Sequence, residues 1–221
     1  MDTVRLGIIG MGNVGKYHAE YLLNHEVARC ELVAVCSRNT AALEQYRPLK
    51  IFGDGEAMIR SGEVDAVIIG TPPFLHTSLG IAALSAGVHA MVEKPISSHK
   101  ADAERLIAAH AKSPNTVFAG MFQLRVEPRY QRIRKLINDG ELGQLIRVNW
   151  INTDWYRTEA YYASGAWRAT WRGEGGGVLL NQCLHNLDTL QWLCGMPSRI
   201  RMTLNTRPAA PRPSGRKPGI K

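Results

Sequence analysis

Three polar side chains recur inside an otherwise apolar, helix-like stretch in the second half of the chain. Asn181, His185 and Asp188 stand four and three positions apart, a few residues after the glycines at 175–177. On one continuous helix, 178–195, this spacing places all three on one face. An imidazole exchanges protons near neutral pH, with one ring nitrogen reacting while a partner holds the other. On the helical pattern alone, a histidine satisfied by a polar neighbour in a packed core is the favoured interpretation. Together with the glycines at 175–177 and with Lys94, the pattern instead makes His185 the candidate general base.

The two neighbours of His185 differ in what they can do. Asn181 does not titrate near neutral pH, so its role is to hydrogen-bond a substrate hydroxyl or a cofactor. Asp188 follows His185 by one turn and can orient the imidazole or cap a loop. His185 and Asp188 supply only two potential metal ligands, with no third at a suitable spacing, so we predict no metal site.

The N-terminal segment carries a glycine pattern typical of dinucleotide binding. An apolar run, Val4 to Gly10, leads into GMGNVG, in which Gly10, Gly12 and Gly15 are spaced G-x-G-x-x-G before a helical pattern. Between a strand and a helix, these glycines permit a tight turn, the approach of a pyrophosphate and close packing. The free amides at the helix start favour phosphate oxygens. The alternative is a glycine-rich turn without a ligand.

The end of the second predicted strand bears on the choice of cofactor. The run ELVAVCS ends at Ser37, Arg38 follows, and no carboxylate stands where one would bind the ribose hydroxyls. A hydroxyl and a guanidinium can instead bind a 2′-phosphate. We therefore expect NAD or NADP, with the residues favouring NADP; the alternative is that Arg38 stacks on the adenine of NAD.

Strand-like and helical segments continue to alternate up to residue 123. Strands are predicted at 64–73, 88–95 and 116–122, with helices at 76–87 and 101–111. Such alternation predicts a doubly wound parallel sheet, whose ligands bind beyond the carboxyl ends of the strands. The candidate cofactor contacts at those ends are Gly10, Met11, Gly12, Asn13, Val14, Gly15, Ser37, Arg38, Thr71, Pro72, His76, Glu93, Lys94 and Gln123.

A second reactive group and a possible substrate-binding loop complete the candidate site. A lysine at position 94, partly desolvated beside a cationic nicotinamide, would have a lowered pKa suited to proton exchange; the alternative is an ordinary surface lysine. The segment 154–177 is rich in Trp, Tyr and Arg, which can stack on sugar rings and bind hydroxyls. Packing between domains or subunits is the alternative. The candidate substrate contacts are Tyr156, Arg157, Tyr161, Trp167 and Arg168.

Several motifs occur together in a familiar order: GMGNVG, then EKP at 93–95, then GGGVLLNQCLHNLD at 175–188. In this combination the chain resembles the Gfo/Idh/MocA family of NAD(P)-dependent sugar and cyclitol oxidoreductases, from about residue 4 to about residue 197. The resemblance implies a Rossmann domain followed by an α+β domain with a mostly antiparallel sheet. It also implies a cis Lys94–Pro95 bond and an acid/base role for Lys94 in contact with the substrate. The family usually has an acid at the position of Asn181, which we interpret as a subgroup feature.

Composition excludes several classes of protein. The hydrophobic fraction of 45% over 221 residues suffices for a sizeable core, and no apolar run of 18 residues is present. Four cysteines without a CxxC pair, and no signal-peptide pattern, predict reduced thiols in a cytoplasmic protein. Of the net charge of +8, basic residues at 197–221 supply +7, which leaves a nearly neutral body. We therefore expect no nucleic-acid and no membrane partner.

The C-terminal end departs from the family pattern. After an alternating, strand-like run at 199–205, the proline-rich basic stretch 206–221 is predicted to be disordered. Relatives continue here with further strands, so we expect a truncated second domain that lacks the surface through which full-length relatives form homo-oligomers. The predicted domains are 1–123, 124–205 and the tail 206–221.

The sequence leaves three functions open. The first is hydride transfer between nicotinamide and a sugar, sugar derivative or cyclitol. The second is an NAD-dependent glycosidase-like reaction in which the sugar is oxidised only transiently. The third is a catalytically silent nucleotide-binding fragment, in which replacing Lys94 or His185 would change nothing measurable.

Overall fold

A six-stranded parallel sheet is the frame of the structure. The computed structural model describes residues 3–153 and 157–203. The strands are β1 (Val4–Ile9), β2 (Cys30–Cys36), β3 (Lys50–Phe52), β4 (Ala66–Ile69), β5 (His89–Val92) and β6 (Phe118–Gly120). They lie in the order β3-β2-β1-β4-β5-β6, and every neighbouring pair is parallel. The predicted doubly wound α/β sheet is confirmed.

Helices connect the strands and continue after the last one. The sheet-forming part contains α1 (Asn13–Leu23), α2 (Gly55–Arg60), α3 (His76–Ser85) and α4 (Lys100–Ala111), with 3₁₀ helices at Thr40–Tyr46 and Pro73–Leu75. Beyond β6 lie a 3₁₀ helix at Gln123–Val126, then α5 (Pro128–Asn138), α6 (Glu159–Ala163), α7 (Trp171–Glu174), α8 (Val178–Asn181) and α9 (Leu184–Cys194). None of the helices in the described ranges is long and apolar enough to cross a membrane.

The strands are buried on both faces, which explains why they read as continuous apolar runs. On β4, Val67 and Ile69 pack in a core cluster with residues of α2, α3 and α4, while Ile68 packs on the opposite face with residues of α1. The central strand β1 divides in the same way, with Ile8 facing α1 and Ile9 facing the other cluster. Alternation along each strand therefore fixes helices on both sides and leaves the strand ends free to carry a site.

The part after β6 has a different character. Over the described residues of 124–203, helices and irregular segments are present but no strand. The antiparallel sheet expected there is not confirmed, and the strand predicted at 199–205 is wrong over residues 199–203. A strand needs a neighbour for its backbone hydrogen bonds, and none lies beside it in the described part of the chain. The proposed boundaries at 123 and 205 stay predictions, and the tail 206–221 lies outside the described residues.

The stretch predicted as one helix from Val178 is two helices. The amide of Cys183 donates to the carbonyl of Val178 at 2.8 Å, five positions back instead of the four of an α-helix. In a continuous helix the Asn181 carbonyl would accept from the amide of His185, but here Lys94 Nζ donates to it at 2.8 Å. The prediction of one regular helix is therefore wrong, because a tertiary contact competes for a helical acceptor. The end at Gly195 is as predicted.

Substitution of Gly15 tests whether this glycine is needed for the close packing of α1 on the turn after β1. A β-carbon at Gly15 would overlap the carbonyl oxygen of Gly10, which is backbone and cannot turn away, whereas one at Gly12 would meet nothing within 4 Å. We expect Gly15→Ala to lower the free energy of unfolding by about 2 kcal/mol or more. Gly12→Ala, the matched control, should cost less than about 1 kcal/mol, through a weaker helix cap.

Urea denaturation followed by circular dichroism measures both variants against the unmutated chain. Equal midpoints for Gly15→Ala and Gly12→Ala would contradict the close packing of α1 on the turn after β1.

Candidate active site

The turn between β1 and α1 fits a diphosphate group. Gly10 has φ of +102°, and a β-carbon there would lie 2.7 Å from backbone atoms of both Gly70 and Thr71 in the turn after β4. Gly12, which precedes α1, faces open space, and no acidic residue stands in the first turn of the helix. The chain reverses its direction of strand addition between β1 and β4, where nucleotide crevices form. The residues present therefore fit a dinucleotide here.

Ser37 and Arg38 come directly after β2, at the same edge of the sheet. Ser37 is half-buried, and its hydroxyl oxygen accepts from the amide of Asn39 at 3.3 Å, while Arg38 is exposed. Met11, Asn13 and Val14 lie in or beside the glycine turn, and Val14 is 46% exposed. These positions leave Ser37 and Arg38 able to meet the ribose end of a nucleotide bound at the turn.

His76 braces two loops and has no polar atom left for a cofactor. Its ring is 1% exposed, with Nδ1 2.8 Å from the carbonyl of Pro95 and Nε2 2.7 Å from the carbonyl of Thr71. Burial lowers the pKa of His76, and the two carbonyl oxygens act in the opposite direction. The placement of His76 among the cofactor contacts stays a prediction, and the structure shows both of its ring nitrogens beside backbone carbonyls. Thr71 and Pro72 remain at the strand end beside the glycine turn.

Glu93 connects α1 to Lys94. Its Oε1 lies 2.8 Å from His18 Nε2 on α1, and its Oε2 accepts from the backbone amide of Lys94 at 3.1 Å. The other His18 nitrogen, Nδ1, lies 2.8 Å from the hydroxyl of Tyr21. Sequence analysis missed His18 and Tyr21, although both occur in the helix that follows the glycine motif. This hydrogen-bond network therefore connects α1 to the backbone of Lys94.

Lys94 reaches from the end of β5 to the helices that follow β6. Its Nζ donates to the backbone oxygen of Asn181 at 2.8 Å and to the side-chain Oδ1 at 3.3 Å. Burial lowers the pKa of Lys94; Glu93 counteracts this effect and Arg157 adds to it. The Lys94–Pro95 bond is cis, as the resemblance implied. The two predicted catalytic residues Lys94 and Asn181, 87 positions apart, are thus in direct contact.

A buried carboxylate lies behind Asn181 and was missed by sequence analysis. Glu174 is 6% exposed, and its Oε1 accepts from Asn181 Nδ2 at 2.6 Å. The next residue, Gly175, has φ of +74° and lies so close to the carbonyl of Ser98 that a β-carbon would overlap it. The available signal was the acid directly before three glycines. Glu174, Asn181 and Gln182 also line a cavity of about 330 Å³, together with Tyr162 and Trp171.

His185 lies near Lys94, but Asp188 does not hold it. Both burial and the charge of Lys94 lower the pKa of His185. The Nδ1 atom of His185 is buried without a hydrogen-bond partner among the described residues. The His185 ring packs edge-on against that of Phe122, with the two ring centres 6.1 Å apart. The Asp188 oxygens instead accept from Arg125 at 2.8 and 2.6 Å, a contact that sequence analysis missed. In the described ranges, no three His, Cys, Asp or Glu side chains are grouped to hold a metal ion.

The predicted substrate loop forms a cluster of its own. Two guanidinium groups lie over the ring of Tyr161, those of Arg157 and Arg168, at 4.9 and 4.2 Å from its centre. The Tyr161 hydroxyl accepts from Arg168 at 2.7 Å, and Gln182, next to Asn181, bonds both Tyr161 and Arg157. Trp167 stacks with Arg168 at 4.6 Å. Tyr156 lies outside the described residues, and Gln123 is exposed at the start of its 3₁₀ helix.

Solved structures with bound ligands are similar to this fold. The WlbA dehydrogenase from Bordetella pertussis, in complex with NADH and UDP-GlcNAcA, aligns with a TM-score of 0.78 at 30% identity, over 87% of this chain and 60% of that one. The scyllo-inositol dehydrogenase from Lactobacillus casei, with bound NAD(H) and scyllo-inositol, aligns with a TM-score of 0.73 at 25% identity, over 88% and 57%.

Sequence comparison agrees with the structural comparison. Inositol 2-dehydrogenase of Salmonella typhimurium is 29% identical over 196 residues, which are 86% of this chain and 54% of that enzyme. The chain spans about half the length of the curated relatives it matches. The family model described as an oxidoreductase family with an NAD-binding Rossmann fold matches residues 4–121, and that of the GFO/IDH/MocA C-terminal domain matches 130–215. The chain therefore belongs to the GFO/IDH/MocA oxidoreductase family.

Proposed function

We propose that this chain carries the NAD(P)-binding and proton-transfer residues of an oxidoreductase that moves a hydride between nicotinamide and a sugar, sugar derivative or cyclitol. The observation that carries the proposal is the continuous connection from the glycine turn through His18 and Glu93 to Lys94 and Asn181. It joins a dinucleotide site to a partly buried lysine at one edge of the sheet. The sugar and cyclitol ligands of the solved relatives support the substrate class.

When bound, the nicotinamide supplies the hydride acceptor or donor. Oxidation of an alcohol also requires a group to take the hydroxyl proton. His185 suits this role, because burial and the charge of Lys94 lower its pKa and keep the imidazole neutral near pH 7. A neutral imidazole has one nitrogen able to accept the proton.

Lys94 is suited to bind the reacting oxygen. A lysine ammonium has three N–H donors, of which two are directed at the two oxygens of Asn181. The third can donate to a substrate oxygen and stabilise negative charge that develops there. Asn181 then keeps the ammonium in place without itself titrating, and Lys94 can share the proton that His185 receives.

The loop around Tyr161 is proposed to bind the substrate away from the reacting carbon. Arg157, Arg168 and Gln182 present donors beside an aromatic ring, and Gln182 links the group to Asn181. Rings and guanidinium groups of this kind bind the C–H faces and hydroxyls of sugars. Trp167 and Tyr156 stay candidates for the same contact surface.

For the cofactor we propose NADP in preference to NAD. The exposed guanidinium of Arg38 follows β2, and no carboxylate stands beside it in the sequence to repel a 2′-phosphate. The NADH and NAD(H) of the solved relatives belong to those proteins. We infer the preference of this chain from its own residues at 37 and 38.

Replacing Arg38 by Ala tests the cofactor preference. Loss of a charged contact to the 2′-phosphate should weaken NADPH binding by about 10-fold or more, because charge-assisted hydrogen bonds contribute about 1.5–3 kcal/mol. NADH binding should change little. Nicotinamide fluorescence titrations with both cofactors measure the ratio, and Arg132→Ala, an exposed arginine on α5, is the control. An equal loss of affinity for NADPH and NADH would contradict a contact between Arg38 and the 2′-phosphate.

The pH profile of substrate oxidation tests His185. Only the neutral imidazole accepts a proton, so kcat/KM should fall as the pH drops through the pKa of His185, which lies below its usual value of about 6.5. His185→Asn should lower kcat by about 100-fold or more and abolish this acid limb. The measurement is net reduction of NAD or NADP with myo-inositol and with UDP-linked sugars across pH.

The control for that experiment is His25→Asn. His25 is exposed in the turn after α1, and its φ of 57° is one that asparagine tolerates. This variant should keep the full rate and the acid limb. A His185→Asn chain as active as His25→Asn would remove His185 from the reaction.

A further inference from the structure

Glu174 is a buried carboxylate in need of a compensating charge. It is 6% exposed, and its hydrogen bond from Asn181 Nδ2 is 2.6 Å long. None of the ion pairs between described residues includes Glu174. A buried carboxylate is stable only when hydrogen-bonded and balanced by positive charge. The nearest positive group in its hydrogen-bond chain is Lys94, on the other side of the Asn181 amide.

The amide of Asn181 can bridge these two charges in one orientation only. Its oxygen accepts and its nitrogen donates, and in the structure Oδ1 faces Lys94 Nζ while Nδ2 faces Glu174. Turned over, the amide would direct N–H groups at an ammonium and an oxygen at a carboxylate. Glu174 therefore selects the orientation in which Asn181 holds Lys94.

The backbone around Glu174 fixes this carboxylate in place. Thr170 begins α7, and its hydroxyl oxygen accepts from the amide of Gly173 at 3.0 Å. Gly175 ends the helix against the carbonyl of Ser98, four residues after Lys94, at a φ of +74°. Gly175 therefore packs directly on the segment that carries Lys94, and this contact holds the end of α7 against that segment.

We propose that Glu174 is a positioning residue, which acts through the Asn181 amide to orient the Lys94 ammonium and to supply the negative charge that an acid at position 181 would otherwise provide. This inference rests on the proposed function of Lys94. Glu174 itself does not touch the reacting atoms. The Glu174 carboxylate is separated from the Lys94 ammonium by the side-chain amide of Asn181. The ammonium is therefore held in place without a carboxylate beside the substrate oxygen.

Four charged groups act on the pKa of Lys94, and one further titratable group, His185, faces it. Glu93 and Glu174 raise the pKa of Lys94, Arg157 and Arg168 lower it, and His185 lies close enough to respond to the lysine charge. Burial, the largest effect, lowers this pKa. Removing the charge of Glu174 should therefore lower the pKa of Lys94 further, whereas a purely structural glutamate would leave it unchanged.

The test is an NMR titration of the Lys94 side chain in the full chain, assigned with Lys94→Arg. Glu174→Gln keeps an oxygen that can accept from Asn181 but removes the charge, and we expect the pKa of Lys94 to fall. Glu104→Gln on α4, an exposed glutamate paired with Lys100, is the matched control and should cause no shift.

A compensating variant separates charge from packing. In Glu174→Gln combined with Asn181→Asp, the carboxylate moves next to Lys94, and the amide introduced at position 174 can donate to it. We expect the pKa of Lys94 to return at least to its value in the unmutated chain. A fall in the first variant without recovery in the second would overturn the proposal, as would an unshifted Lys94 in a folded Glu174→Gln chain.

Two further outcomes are decided by the same variants. If Glu174→Gln does not fold, a double variant that folds with a restored Lys94 pKa supports the proposal, and one that also fails to fold overturns it. The titration does not depend on turnover. An unmutated chain that reduces no cofactor with any sugar would therefore contradict the proposed function. The titration of Lys94 in that same chain would still support or contradict the role of Glu174.

Discussion

The hydrogen bonds from Lys94 to Asn181 hold the site together, because they join the sheet edge to the helices that follow β6. In one direction, the backbone amide of Lys94 donates to Glu93, which His18 connects to α1. In the other direction, Asn181 is fixed by Glu174. A lysine partly buried at this edge costs free energy unless its ammonium is hydrogen-bonded. The break between α8 and α9 leaves the Asn181 carbonyl free to accept from it, and Glu174 holds the Asn181 side chain.

The structure resolves the question raised by a neutral residue at position 181. An aspartate there would pair directly with Lys94 and compete for the donors that a substrate oxygen needs. Asn181 instead accepts a hydrogen bond from Lys94 with its oxygen and donates one to Glu174 with its nitrogen. Because these groups are buried, the more distant carboxylate still interacts electrostatically with the ammonium. Arg157 and Arg168 act against that carboxylate. Burial is thus the largest influence on the pKa of Lys94, and the neighbouring carboxylates and guanidinium groups act on it in opposite directions.

The sheet could be predicted from the sequence because buried parallel strands give apolar runs and glycine marks the turn after β1. The edge strand β3 was missed, since only three residues form it and Lys50 is exposed. The break between α8 and α9 follows from Lys94, 87 positions away, which no local period reveals. Glu174, His18 and Arg125 were missed for the same reason. His76 was predicted from its place after a strand end, and its contacts with the carbonyls of Pro95 and Thr71 were not foreseen.

The sheet and the helices that follow it contribute to the site but are stabilised by different interactions. The sheet rests on two apolar clusters, whereas the only buried hydrophobic residue among those described after residue 123 is Leu193. The buried polar residues there are Glu174, Asn181, Gln182 and Thr189. Each such hydrogen bond contributes only about 0.5–1.5 kcal/mol net. Opening the helices that carry Asn181 and His185 therefore costs less than unfolding the sheet that carries Lys94. Contacts between the sheet and these helices, above all those of Lys94 and Gly175, therefore decide whether Lys94, Asn181 and His185 come together.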